Sequence, residues 1–236
     1  MFGWRSKIGI IIPSVNITME QEMWRMAIEG VSIHTSRMLA IGCSVDDLKA
    51  QDGYVEACAE ELGTAPLDII VFGCTSGSFL GGIDWEKNIC KRIREISNCK
   101  AITTTGAVLG ALKFFGKKKL TIVSPYVSEV SELESQFFTQ QGYDIVSETN
   151  LGFDKGIDIL SLQPETTYRI ARNAVVPETE ILFISCTNMR TIENLEILEK
   201  DLGIPVISSN QCSMWAALRA TNVGQKIEGW GSLLNS

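Results

Sequence analysis

Asp68-Ile-Ile-Val-Phe-Gly-Cys74-Thr-Ser76 and Glu180-Ile-Leu-Phe-Ile-Ser-Cys186-Thr-Asn188 carry one pattern at an offset of 112 positions. In each, an acidic residue opens a short apolar run, a small residue closes it and a Cys-Thr pair follows. Short apolar runs bounded by polar residues predict strands buried on both faces of a parallel sheet. The offset persists outward. Ile10-Ile-Ile-Pro13-Ser-Val-Asn-Ile-Thr-Met-Glu20 is answered by Ile122-Val-Ser-Pro125-Tyr-Val-Ser-Glu-Val-Ser-Glu132, and Gly30-Val-Ser-Ile33 by Gly142-Tyr-Asp-Ile145. Ala101-Ile-Thr-Thr-Thr-Gly106 is matched by Val206-Ile-Ser-Ser-Asn-Gln211 at 105, so one connection is shorter in the second copy. Agreement of separate blocks at one offset predicts two similar halves.

Between the strand runs the periodicity turns helical. Met19, Met23, Met26 and Ala27 share one face, with Thr18 and Gln21 placed for a capping box. Leu133, Phe137 and Phe138 repeat that face in the second half. Asp84 is placed to cap a helix running to about Ile96, and Pro164 to open another at its first turn. The alternation predicts an α/β fold of two pseudo-twofold-related domains, each a short parallel sheet flanked by helices, with the active site in the cleft between them. Phe115-Gly116-Lys-Lys-Lys119 is the turn between the halves. The expected division is 1–116 plus 209–236, with the tail returning, for the first half and 117–208 for the second.

Composition excludes several classes. A net charge of −7 over 236 residues argues against a general nucleic-acid binder, which needs a basic face to collect phosphates. Seven cysteines, an odd number with no C-x-x-C spacing, and a single histidine, His34, argue against a zinc site or a complete disulfide framework. A reducing cytoplasm is the expected location. The apolar run Ile8–Ile12, interrupted by Gly9 and stopped by Pro13, is too short for a signal segment or a membrane span, so no membrane is expected as a partner. The glycines at 73, 77, 81 and 82 lack the Gly-Lys-Ser/Thr of a P-loop and the dinucleotide fingerprint, and no lysine neighbours the motifs for pyridoxal phosphate. No metal and no cofactor are expected.

In open parallel sheets, ligands bind beyond the carboxyl ends of the strands. Pro13-Ser14-Val15-Asn16, Cys74-Thr75-Ser76, Ser124-Pro125-Tyr126 and Cys186-Thr187-Asn188 all fall there. Under a pseudo-twofold, Cys74 and Cys186 approach one cleft from opposite sides. Two thiols flanking a carbon are what a metal-free racemase needs: one thiolate removes a proton and the opposite thiol delivers one. A free thiol titrates at about 8.5, and clustered backbone N–H groups bring it toward the working range. Thr75, Ser76, Thr187 and Asn188 offer neutral donors to a carboxylate, so a small carboxylate is the expected partner. Arg190, four residues after Cys186, suits a bidentate carboxylate contact and widens the substrate range to amino- or hydroxy-acid derivatives.

Pro13-Ser14-x-Asn16-x-Thr18-x-Glu20, Gly73-Cys74-Thr75-Ser76-Gly77-Ser78, the Tyr126 turn, Ser185-Cys186-Thr187-Asn188 and Pro205-Val206-Ile207-Ser208-Ser209-Asn210-Gln211 resemble the aspartate/glutamate racemase superfamily. Within it they are similar to the branch of maleate cis-trans isomerases and arylmalonate decarboxylases, over essentially the whole chain. The resemblance implies Cys74 as nucleophile on a double bond and Cys186 as its acid/base partner. It implies Asn16, Tyr126 and Asn150 as holders of the substrate carboxylates, and association into a homo-oligomer. Arylmalonate decarboxylases keep only the second-half Cys, with Gly at the first-half position. Both cysteines here favour isomerisation or racemisation over decarboxylation. The alternatives are a decarboxylase using Cys186 alone as proton donor, and a non-catalytic two-lobed ligand-binding protein.

The remaining cysteines lack the strand-end placement. Cys43, Cys58, Cys90, Cys99 and Cys212 read as core or surface thiols, with Cys212, next to the Ser-Ser-Asn-Gln motif, the one whose distance from the cleft matters. His34 reads as structural, and Asn16 as a helix cap that can also touch substrate.

Overall fold

Ile8, Ile10, Ile11 and Ile12 have no exposed surface, and neither do Ile69, Ile70 and Val71. Strands so apolar are stable only when covered on both faces, and the helices between them supply that cover. The computed structural model describes residues 2–40 and 42–236. The first half runs β1 Ser6–Pro13, α1 Thr18–Met26, β2 Val31–Met38, α2 Val45–Asp52, α3 Val55–Gly63, β3 Ile69–Phe72, α4 Thr75–Phe79, α5 Gly82–Ser97, β4 Lys100–Thr103 and α6 Thr104–Phe115. The second runs β5 Lys119–Ser124, α7 Ser128–Gln140, β6 Asp144–Asn150, α8 Gly156–Ile159, α9 Pro164–Ala174, β7 Ile181–Ile184, α10 Ile192–Leu202 and β8 Val206–Ser208; α11 Ser209–Ala220 follows β8 and packs mainly on α6 and α1 of the first half.

Each half forms a four-stranded parallel sheet, ordered β2-β1-β3-β4 and β6-β5-β7-β8. The repeat reaches down to register. Ile8 pairs with Ile69 as Leu120 pairs with Ile181, each 112 positions on, and β3 and β7 coincide end to end under that offset. At the shorter offset of 105, α6 and α11 also coincide end to end. These two helices pack against each other. Gly116, at φ 65°, ends α6 in a left-handed turn, a conformation glycine adopts without strain, and opens the connection to β5. The tail touches both halves: Gln225 meets Arg5, Trp230 lies against the Arg25 guanidinium, and Ser232 bonds Glu199.

Two helix starts differ from expectation. Thr18 and Gln21 form no capping box. Asn16 Oδ1 instead accepts from Thr18 N and Met19 N, both at 3.0 Å, while the Thr18 hydroxyl leaves for Asn188 O. Asp84 lies inside the first turn of α5, which starts earlier, at Gly82. Among the described residues no helix is long and apolar enough to cross a membrane, and no His/Cys/Asp/Glu group is arranged to hold a metal ion.

Candidate active site

Both Cys-Thr motifs open into one cleft of about 410 Å³, counting its mouth. Pro13, Asn16, Cys74, Thr75, Ser76, Tyr126, Cys186, Thr187 and Asn188 line it, as strand ends on a common edge require. Tyr126 is buried and rests edge-on to Phe79.

Cys74 directly precedes α4. Its sulfur accepts the Gly77 N–H at 3.4 Å and lies 3.9 Å from the Ser76 hydroxyl. A Cβ on Gly77 would stand 3.1 Å from that sulfur, so glycine lets the helix turn come close enough to bond it. Burial pushes the Cys74 thiol above its usual range, and the Gly77 and Ser76 bonds pull it back. Cys186 differs in its backbone. Its φ of 99° is one a residue with a side chain rarely adopts, at a cost on the order of 1–3 kcal/mol. Ser209 Oγ holds the peptide there by accepting Cys186 N at 3.0 Å. The Cys186 sulfur accepts Asn188 N at 3.4 Å. Burial raises this thiol to about 12, opposed chiefly by the Asn188 N–H.

Several polar side chains at the site are already engaged across the two halves. Asn16 Nδ2 donates to Thr187 Oγ1 at 2.9 Å, and that hydroxyl donates to Gly73 O at 3.1 Å. The Thr75 hydroxyl donates to Ser209 Oγ at 2.9 Å. Thr75 and Thr187, expected as donors to a ligand, line the cleft with their hydroxyl protons engaged inside the protein, that of Thr187 across the two halves. The Tyr126 hydroxyl and the second N–H of Asn16 remain for a ligand, while the Ser76 hydroxyl faces the Cys74 sulfur.

Three expected site residues lie away from the cleft lining. Ser14 Oγ bonds Ala40 O at 3.1 Å and Ala40 N at 3.0 Å, fixing a lining residue without lining the cleft itself. Asn150 is exposed at the end of β6, with Oδ1 accepting the Ser124 hydroxyl at 3.2 Å. Arg190 points outward, paired with Glu193 at 3.0 Å and 3.5 Å from Gln163 Oε1. Its charge is satisfied by a helix neighbour outside the cleft.

Cys43 lacks the strand-end placement, yet it lines the cleft. The loop after β2 meets its repeat counterpart after β6. Gly42 bridges Lys155 in antiparallel fashion, and Cys43 N donates to Asp154 O at 3.0 Å. Ser44 and Asp47 then form a capping box that starts α2, whose inner face brings Leu48 and Gln51 to the cleft. The Cys74 thiol faces Gln51 Oε1 at 3.8 Å. Cys43 is raised to about 12 by burial, then by Cys74, Asp47 and Asp154. Cys212 has no exposed surface and lies outside the lining; burial alone raises its thiol.

Residues 8–234 match the family model described as arylmalonate decarboxylase. A maleate isomerase of Pseudomonas putida is 26% identical over 242 residues, covering 97% of each chain. Among solved structures, a variant of the maleate isomerase Iso from another Pseudomonas putida strain, with maleate, superposes at a TM-score of 0.94 with 24% identity, over 98% of this chain and 97% of that one. A Nocardia farcinica maleate cis-trans isomerase, as a Cys-to-Ser variant with a covalently bound succinylcysteine intermediate, gives 0.93 at 23% identity over 98% of each chain. At these identities the superpositions show a shared fold of two α/β halves. The family model, spanning nearly the whole sequence, shows more: this chain belongs to the arylmalonate decarboxylase family, within its branch shared with the maleate isomerases.

Proposed function

We propose that this protein is a cofactor-independent isomerase of a small carboxylic acid, interconverting maleate and fumarate through Cys74 and Cys186. The carrying observation is that two thiols at repeat-equivalent strand ends line one cleft, each sulfur accepting a backbone N–H. In this reading the Cys74 thiolate adds to one carbon of the double bond and its electron pair moves into the adjacent carboxylate as an enediolate. The former double bond is then single and rotates. Cys186 gives its proton to the enediolate carbon and takes it back, and expulsion of the Cys74 thiolate restores the double bond in the trans form. Donors from Gly77 and Ser76 favour a thiolate at Cys74. Burial keeps the Cys186 thiol protonated, as a proton donor requires.

The reading draws support from the succinylcysteine seen in the Nocardia farcinica relative, which is the addition product expected of maleate. Tyr126 and Asn16 would hold the carboxylates with the donors they have free, and Ser76 would turn to the substrate once Cys74 has added to it. Racemisation of an acidic carbon is the same proton chemistry without the carbon–sulfur bond. A cytoplasmic location suits the seven free cysteines, and homo-oligomer formation belongs to the same reading, to be read by light scattering.

Proton NMR of the protein with maleate tests the proposal. Fumarate should accumulate, with turnover lost in Cys74→Ala and in Cys186→Ala. Carbon dioxide release from a phenylmalonate by Cys74→Gly, with no reaction of maleate in the wild type, would favour the decarboxylase instead.

A further inference from the structure

Gln51 has no part in the reaction above, yet its side chain touches the nucleophile. It is buried on α2, lines the cleft and accepts the Cys74 S–H on its Oε1 at 3.8 Å. Its backbone is pinned on both sides. The Ser44–Asp47 capping box and the Gly42–Lys155 bridge fix the start of α2. At the other end Arg92 donates to the Asp52 carboxylate at 2.7 and 3.0 Å and to the Asp52 carbonyl oxygen at 3.2 Å. Among the described residues the Gln51 Nε2 has no hydrogen-bond partner, so the amide is free to turn about its last bond.

We propose that Gln51 is a further catalytic residue, whose amide serves Cys74 both as thiol and as thiolate. The Gly77 N–H can only donate to the sulfur, whereas an amide side chain carries an acceptor and a donor end of nearly equal size. With Oε1 toward the sulfur it accepts the S–H, the arrangement seen here. When the proton leaves to water at the cleft mouth, a half-turn of the amide brings Nε2–H to the thiolate in place of Oε1. A hydrogen bond to an ion is about twice as strong as one between neutral groups, so the exchange favours the ionised nucleophile. A carboxylate in this place could only accept and would repel the thiolate, and an aliphatic side chain would do neither. The inference rests on the isomerase reading in taking Cys74 as the nucleophile.

Few charges compete for this sulfur. On α2, Asp52 is paired with Arg92, Asp47 bonds Ser44, and Asp46 and Lys49 are exposed. The helix that Cys74 opens, α4, carries no titratable side chain and packs against α2, α5, α6 and α7. The buried acids on those helices are engaged elsewhere: Glu86 of α5 accepts from Thr103 and Glu134 of α7 from Ser185. The remaining charged side chains of α5, α6 and α7 lie at the surface. Cys43, Cys186 and Tyr126 are the titratable groups that share the cleft with Cys74.

The test follows Cys74 alkylation by iodoacetamide, site by site by mass spectrometry, from roughly pH 6 to roughly pH 11. A sulfur–carbon bond forms as iodide leaves, so the rate tracks the thiolate. In Gln51→Leu the thiolate loses its amide donor. Cys74 should then react about tenfold more slowly at about pH 8, with its curve displaced upward by about one pH unit toward the same limiting rate, while Cys186 keeps its profile. Gln51→Glu, closer in shape and able to carry the test if Gln51→Leu fails to fold, should displace the Cys74 curve further in the same direction. Three results would overturn the proposal. An unchanged Cys74 profile leaves the amide without effect, a faster Cys74 in Gln51→Leu makes it a partner of the thiol alone, and a uniform slowing without displacement makes it structural. Alkylation needs no substrate, so a failure of maleate turnover counts against the isomerase reading and leaves this result readable.

Discussion

Thr75 donates its hydroxyl proton to Ser209 Oγ at 2.9 Å, and the same oxygen accepts Cys186 N at 3.0 Å. One serine at the start of α11 thus fixes the residue after the first thiol to the backbone of the second. The Cys186 peptide it holds has a φ of 99°, so the bond offsets a conformation that would otherwise relax. Ser209→Ala should lower kcat by about tenfold or more through misplacement of Cys186, and reduce stability by about 1–2 kcal/mol. Steady-state kinetics and urea unfolding check the two parts separately, and an unchanged kcat would remove Ser209 from the account.

Cys43 lines the cleft beside both thiols, and its protonation separates it from them. Burial, Cys74 and two nearby acids all raise it, with no hydrogen bond pulling it back. It should stay a thiol throughout the working range and act as a wall of the cleft. Cys43→Ala is expected to keep turnover within about threefold of wild type, in contrast to the full loss at Cys74 or Cys186. Loss of turnover in Cys43→Ala would make it a third catalytic thiol.

Glu22 reaches from α1 into the other half. It accepts Thr191 N at 2.7 Å and Ile192 N at 3.3 Å at the start of α10, and Asn210 Nδ2 at 2.7 Å. Desolvation outweighs these donors and raises the carboxyl to about 7. The folded state therefore binds this proton more tightly than the unfolded chain. The resulting stability is fully present below the unfolded carboxylate value of about 4.3 and is lost as pH rises through about 7. Urea midpoints should be higher near pH 5 than near pH 8, by on the order of 2 kcal/mol of stability, and Glu22→Gln should flatten much of that slope. An equally steep slope in Glu22→Gln would assign it elsewhere, Glu134 first, since burial raises that carboxyl in the same sense.

Much of the fold was legible in the sequence because parallel strands are continuous apolar runs and the repeat writes them twice. β3 and β7, and α6 and α11, coincide end to end under the two offsets read from the residues alone. The strand-end thiols and their polar neighbours were legible for the same reason. What escaped depends on geometry with no periodic signal. Cys43 and Gln51 sit in a loop and a polar helix, and reach the cleft only because the Gly42–Lys155 bridge folds that loop across it. Arg190 lies close to Cys186 in sequence, but it sits in the loop before α10 and turns outward to Glu193. Thr75 and Thr187 have the chemistry of ligand donors, yet their protons are engaged by Ser209 and by Gly73 O. Glu134 reads as one acid on an amphipathic helix, and only the fold places it behind Ser185.

The most direct measurement is the intact mass of Cys186→Ser after incubation with maleate, followed by peptide mapping. With the proton partner weakened and the nucleophile intact, the addition product should build up as one maleate per chain, located on Cys74. Maleate found on Cys43 or elsewhere, or full turnover by Cys186→Ser with no adduct at Cys74, would contradict a mechanism in which Cys74 adds and Cys186 moves the proton.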